Sequence, residues 1–199
     1  MKKIVLSLAV LATGFAAQAQ EGFGFKEGDV LLEGNVGFNT TNNKNTETKT
    51  NSFNFNPKAG YFINDKFALG IELGIGSDKT EVAGTDTDKN SSFDAGVFGR
   101  YYFLELGQRF KTYAEVGVAY KSGKETLAEV KYSGFGAKAG LGINYFVTPK
   151  MAINFGLSNV LGFNTMKVKG AEAVSEFDAN VNVFNNFFNT ATFGLTFKL

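Results

Sequence analysis

Residues 67–76 read Phe67-Ala68-Leu69-Gly70-Ile71-Glu72-Leu73-Gly74-Ile75-Gly76. Large apolar side chains occupy every odd position, and small or charged ones every even position. Successive side chains of a strand point to opposite faces, so this stretch is a strand with one oily face and one small, polar face. A helix would instead repeat its apolar positions at three and four.

The same beat recurs about eight times along the chain, in runs of roughly ten to thirteen residues divided by polar breaks. On the amino-terminal side it predicts strands at 28–40 (Leu32, Val36 and Phe38 on the oily face) and 52–63 (Phe53, Phe55, Ala59, Tyr61, Ile63). On the carboxy-terminal side it predicts strands at 92–104 (Phe93, Ala95, Val97, Tyr101, Phe103), 110–121 (Thr112 to Tyr120) and 132–146 (Phe135 to Tyr145). The last two are 151–163 (Met151 to Phe163, with Leu157 and Leu161) and 186–199 (Phe187, Ala191, Phe193, Leu195, Phe197, Leu199).

The breaks alternate in length. Long polar segments are expected at 41–51, 78–91, 122–131 and 164–185, and short turns at 64–65, 105–109 and 148–150. In an antiparallel closed sheet, successive connections fall on opposite rims, so every long loop shares one rim. The fold class expected is therefore all-β, an eight-stranded antiparallel up-and-down transmembrane β-barrel. Outward aromatics reinforce it: Tyr61, Tyr101, Tyr145 and Phe197 mark one end of the apolar band. Phe38, Phe53, Phe93, Tyr120, Phe135, Phe163 and Phe187 mark the other, as two lipid interfaces favour.

Residues 1–19 are expected to be a cleaved export signal. Lys2 and Lys3 precede the apolar run Ile4 to Phe15, and Ala17-Gln18-Ala19 makes a small-x-small cleavage site. The barrel domain is then 20–199. Without those two lysines the formal net charge of +1 becomes −1, which argues against nucleic acid as a partner. Cysteine and histidine are absent, which removes disulfides, thiolate and imidazole metal ligands, and His-dependent hydrolysis. No cofactor is expected, and no catalytic residue or metal ligand is assigned.

The other face of each strand holds the chemistry. Glu33, Lys58, Glu72, Arg100, Glu115 and Lys138 all share the parity of the small residues, one on each of the first six strands, with alternating sign. On the lipid face each midplane lysine or arginine would cost about 2–4 kcal/mol. Inside, each is expected to pair with its opposite on the next strand, about 4.8 Å away. Asn154, Ser158 and Thr192 continue the ring without charge. Eight strands leave an interior just wide enough for side chains. Two uses of the ring are open: a static salt-bridged plug, or a narrow ion path gated by re-pairing.

Other motifs carry less. Asp86-Thr87-Asp88-Lys89-Asn90 begins like a calcium loop, but Ser91 and Val97 stand where Gly and Glu are needed. Lys121, Lys124 and Lys131 form a basic cluster near a rim, where lipopolysaccharide phosphates would lie, although Glu125 and Glu129 offset it. Within 164–185, Thr165 to Lys169 and Val181 to Val183 alternate again, so the last two strands are expected to continue as a hairpin turning near Gly170. Its exposed edge would suit strand addition by a partner.

The leader, the eight alternating strands and the closing run Thr192-Phe193-Gly194-Leu195-Thr196-Phe197-Lys198-Leu199 resemble the small OmpX/OmpA-type outer-membrane β-barrel family over roughly residues 23–199. The resemblance implies residence in the cell outer membrane, with outer-membrane lipid and lipopolysaccharide around the barrel. It also implies recognition of the last strand by the barrel-assembly machinery, although Leu199 stands where an aromatic is usual. No periplasmic domain is expected beyond that strand. The function expected is non-enzymatic: a scaffold presenting polar loops around a salt-bridged lumen. The alternatives are a small pore for ions or solutes, or an adhesin acting through 41–51, 78–91, 122–131 or 164–185.

Overall fold

The computed structural model describes residues 22–179 and 192–199. The expected export signal at 1–19 lies outside them, as do Phe187 and Ala191 and the side chains of Leu157, Ser158 and Thr192. The described residues form nine strands: β1 Val30–Asn43, β2 Thr48–Asn64, β3 Phe67–Val82, β4 Thr85–Leu106, β5 Phe110–Glu125, β6 Val130–Thr148, β7 Met151–Val168, β8 Ala173–Ala179 and β9 Thr192–Lys198. All neighbouring pairs are antiparallel. The pairing runs β1 through β7 in sequence order, then β9, which returns to β1 and closes an eight-stranded barrel. Reciprocal backbone bonds between Val30 and Leu199, 3.0 and 2.9 Å, finish the seam at its lower end. Strand β8 folds back on the upper half of β7, Leu161 to Lys167, beyond the stretch that β9 covers.

Register explains the two faces. One ring of cross-strand partners runs Leu32, Ala59, Ile71, Val97, Val118, Ala137, Phe163 from β1 to β7. All of it points outward: Ile71, Val97 and Val118 are 58, 54 and 56% exposed. A water-soluble protein would bury such a band; here acyl chains cover it. Tyr120 meets Phe135 edge-on at 5.4 Å at the upper interface, and Phe110 meets Tyr145 at 4.7 Å at the lower. On β2, Phe53 and Tyr61 bracket a span of about 27 Å along the strand, which tilts to roughly 20 Å of membrane thickness. Ile71→Lys is expected to lower unfolding stability in lipid vesicles by about 2–4 kcal/mol, since the ammonium would sit among acyl chains. A urea midpoint equal to that of the native chain would contradict this placement.

The strands outrun the oily pattern, and this corrects the long loops. Segments 41–51, 78–91 and 122–131 are mostly strand, joined by short turns at 44–47, 83–84 and 126–129. Strand β4 has 22 residues, about twice what a tilted membrane crossing needs. Ala83 and Gly84 both take positive φ, 49° and 77°, the pattern of a two-residue hairpin turn. The β5–β6 turn is held by the Glu125 carboxylate, which accepts the backbone N–H of Ala128 and, at 2.9 Å, that of Leu127. Those bonds, Ala128's foremost, keep its pKa below the ordinary carboxylate value. The hairpin expected at Gly170 is present, with Gly170 at φ +90° between β7 and β8.

Segment 86–90, which only begins like a calcium loop, is continuous strand. Asp86 is held by Lys79 at 2.9 Å, and Asp88 accepts from Asn90 Nδ2 at 2.8 Å.

Candidate functional site

The even-numbered residues of β4 alternate into the lumen, and Arg100 lies fully buried at its centre. Its guanidinium makes a two-pronged contact with Glu33, Nη1 to Oε2 at 2.8 Å and Nη2 to Oε1 at 3.0 Å. It also binds Glu115 Oε2 through Nε at 2.8 Å and Nη2 at 2.6 Å. Glu115 accepts a close hydrogen bond from Lys58, which lies 3.3 Å from Glu72. Glu72 in turn receives Lys138 at 2.9 Å. All six charged residues singled out by parity therefore join one chain: Glu33, Arg100, Glu115, Lys58, Glu72, Lys138. Three cations face three carboxylates, so the chain is formally neutral.

The expected pairing with the next strand holds for Lys58 with Glu72 and for Arg100 with Glu115, and fails elsewhere. Glu33 and Lys58 are partners in register, yet Glu33 pairs with Arg100, three strands away. Lys58 to Glu115 and Lys138 to Glu72 likewise cross the lumen. In so narrow a barrel, long side chains from facing strands meet across the axis. A charge that crosses can also meet two opposite partners, which offsets more of its desolvation.

Polar side chains complete the shell. Thr196 Oγ1 donates to Glu33 at 3.0 Å, Asn144 Nδ2 donates to Thr196 at 3.0 Å, and Tyr102 OH donates to Asn144 at 2.8 Å. Tyr113 OH donates to Asn154 at 2.7 Å, and its ring lies 4.0 Å beneath the Arg100 guanidinium carbon, a cation–π contact. Glycine makes room for these rings. A Cβ on Gly142 would fall 2.2 Å from Tyr113 Cζ, and one on Gly70 would fall 2.7 Å from Phe98 and 2.2 Å from the Ala59 carbonyl.

Below the ions lies an aromatic cork, which the strand pattern does not reveal. Residues 22–29 turn back into the lower mouth, with Gly24 at φ +109° and Gly28 at +91° making the bends. Phe25 stacks on Phe62 at 4.3 Å and meets Tyr102 at 5.2 Å and Phe146 at 5.3 Å. Phe62 and Phe146 are 0 and 1% exposed. The segment is tied by Gly28 N to Phe62 O and Phe62 N to Asp29 O, both 2.9 Å, and by Glu27 N to Asp65 Oδ1 at 2.8 Å. One signal was available: Phe62, Tyr102, Tyr113 and Phe146 all carry inward parity near the short turns. Only the returning segment shows that they meet.

Above the ions the lumen widens into a cup of about 710 Å³. Lys121 lines it, so it does not join Lys124 and Lys131 in a rim cluster; its Nζ donates to Asn164 Oδ1 at 2.8 Å. Among the described residues, no group of three or more His, Cys, Asp or Glu is placed to hold a metal.

A family model described as outer membrane protein beta-barrel domain matches residues 6–197. No curated protein matches the sequence. Among solved structures, the chain is similar to the outer membrane protein OprG from Pseudomonas aeruginosa, at 14% identity over 88% of this chain and 98% of that one, with a TM-score of 0.54. It is also similar to Neisserial surface protein A, at 15% identity over 86% and 96%, TM-score 0.48. For outer membrane protein W of E. coli the figures are 16%, 87%, 99% and 0.44. At such identities the likeness concerns the fold alone.

Proposed function

Because the chain belongs to the outer membrane protein β-barrel family and resides in the outer membrane, we propose that it is a non-catalytic barrel, closed to flow, that presents long hairpins at the cell surface. The single observation behind this reading is the double seal. A neutral, fully engaged ion chain blocks mid-lumen, and beneath it Phe25, Phe62, Tyr102 and Phe146 fill the lower mouth. Ions crossing would meet buried, already paired charges and then an aromatic layer, both unfavourable for a hydrated ion.

The long ends of β2 to β6 support the presenting half of the reading. They rise past the apolar band as paired strands, so what they show to the outside is rigid ribbon rather than loose loop. A partner would meet polar cross-strand ladders such as Thr80 beside Asp88 and Lys79 beside Lys89. The apolar face of β9 suits docking on the barrel-assembly machinery, and lipopolysaccharide would surround the upper aromatic interface.

Planar-bilayer recording tests the closed reading. The purified chain is expected to insert without stable conductance steps. Regular single-channel steps from the native chain, abolished or altered in ion selectivity by Lys58→Met, would favour the pore reading instead.

A further inference from the structure

Lys124 on β5 and Lys131 on β6 are direct cross-strand partners on the outer face of the barrel. Lys167 on β7 stands across from Ser133, and the Lys169 N–H donates to the Lys131 carbonyl at 3.1 Å, which puts Lys169 beside Lys131. All four share the outward parity of Tyr120, Phe135 and Phe163. Lys131, Lys167 and Lys169 are exposed, and Lys124 is half-buried. Like charges directly opposite one another are destabilising. Another cross-strand lysine pair at this rim, Lys79 and Lys89, is relieved at Lys79 by Glu81 and Asp86, 2.6 and 2.9 Å away. The row of four has no such relief: among the described residues, no carboxylate is ion-paired with any of them. Glu125 is engaged by its own turn, on the N–H groups of Leu127 and Ala128. Glu176 and Asp178 of the neighbouring β8 share the parity of Asn164 and turn to the lumen. Glu129 and Glu172 stand in exposed connections beyond the row, and offset its field from the water side only.

We infer that this row binds the phosphate groups of the phosphorylated glycolipid of the outer leaflet, the lipopolysaccharide around the barrel. The depth fits. Lys124 and Lys131 lie four residues beyond the Tyr120–Phe135 pair, about 9 Å higher across a tilted sheet. The polar headgroup layer is about 5–7 Å thick on each side, and a lysine stem bends back far enough to set its ammonium group there. Ser122 and Ser133 lie between the aromatic pair and the lysines, so the outer face passes from apolar to hydroxyl to cationic, the order a lipid presents from chain to phosphate. A phosphomonoester carries about −1.5 to −2 charges, so a lipid with two of them answers a row of four ammonium groups. A phosphodiester lipid, with one charge, leaves most of the row unanswered. The inference rests on the surface-presenting reading only in that the rim with the long hairpins faces the outer leaflet.

Native mass spectrometry of the full chain, released from zwitterionic detergent micelles, counts the lipid bound. The probes are diphosphoryl lipid A, its dephosphorylated form, phosphatidylglycerol and inorganic phosphate. Diphosphoryl lipid A is expected to bind most tightly of the lipids. A lysine at an anionic lipid surface is worth about fivefold, so Lys124→Gln with Lys131→Gln is expected to weaken that binding about tenfold or more. Lys44→Gln with Lys49→Gln removes the same charge elsewhere on the rim and should leave it unchanged. Both double variants should keep the heat-dependent gel mobility of a folded barrel. Equal binding of dephosphorylated lipid A or of phosphatidylglycerol, equal loss in the two double variants, or displacement by inorganic phosphate at the lipid's own concentration would overturn the proposal. The chain has no cysteine, so Leu127→Cys, labelled on intact cells with a membrane-impermeant maleimide, reports separately on which side the hairpins face. Labelling without lipid binding overturns the lysine site and keeps the surface-presenting reading; binding without labelling does the reverse.

Discussion

Arg100→Ala is expected to reduce unfolding stability by about 3–5 kcal/mol, the usual effect of removing one partner from a buried ion pair. The effect is large because two carboxylates lose their shared cation at once. Glu115 would keep Lys58, but among the described residues Glu33 would retain only the Thr196 hydroxyl as a side-chain donor. A carboxylate left in that setting is desolvated with little return. The same reasoning says the pair is not indispensable as a pair. Changing Glu33→Gln and Arg100→Gln together should cost clearly less than the sum of the two single changes, because no lone charge remains. Urea unfolding in detergent micelles, followed by the barrel's heat-dependent gel mobility, measures all three variants. A native midpoint for Arg100→Ala would mean the guanidinium does not hold the lumen together.

Phe62→Ala should cost about as much, roughly 3–5 kcal/mol, by a different mechanism. Its ring is fully buried and lies nearly parallel to Phe25, at 13°. Removing it leaves a void beneath the ion chain and takes the stacking surface from Phe25. The backbone ties at Phe62 would remain, since they use its N–H and C=O. The second readout is therefore local: without its ring partner, segment 22–29 should open more often, and trypsin should cut after Lys26 faster than in the native chain. Equal cleavage rates would show that the backbone bonds alone hold the cork. Arg100→Ala should not accelerate that cut to the same degree, because Arg100 touches the ionic layer and not Phe25. The two substitutions thus separate the two seals.

How much of this was legible beforehand depends on what each side of a strand touches. Between the two aromatic interfaces one face meets lipid and the other meets the lumen, so Ile71 and Glu72 could be assigned to opposite faces from alternation alone. Above the upper interface water bathes both faces. Thr80, Asp86, Thr87 and Asp88 are then all polar, the period-two contrast vanishes, and a paired strand reads as a loop. Threonine's preference for extended backbone was a faint counter-signal. The same loss of contrast explains why Lys121 looked like a rim residue: its neighbours Tyr120 and Ser122 mark the edge of the oily band, and only register with Asp94 puts it inside the cup.

Parity along each strand was enough to say which side chains meet acyl chains and which turn inward, because a lysine or glutamate among hydrocarbon is too costly to place by accident. That much the order of residues decided by itself. Which inward groups touch was left to the closed cylinder. Its small bore brings β1 against β4 and β3 against β6, so Glu33 finds Arg100 rather than Lys58, and Phe25 finds a ring of aromatics from strands far along the chain. Contacts across a lumen depend on circumference and tilt, and no local stretch of sequence carries either.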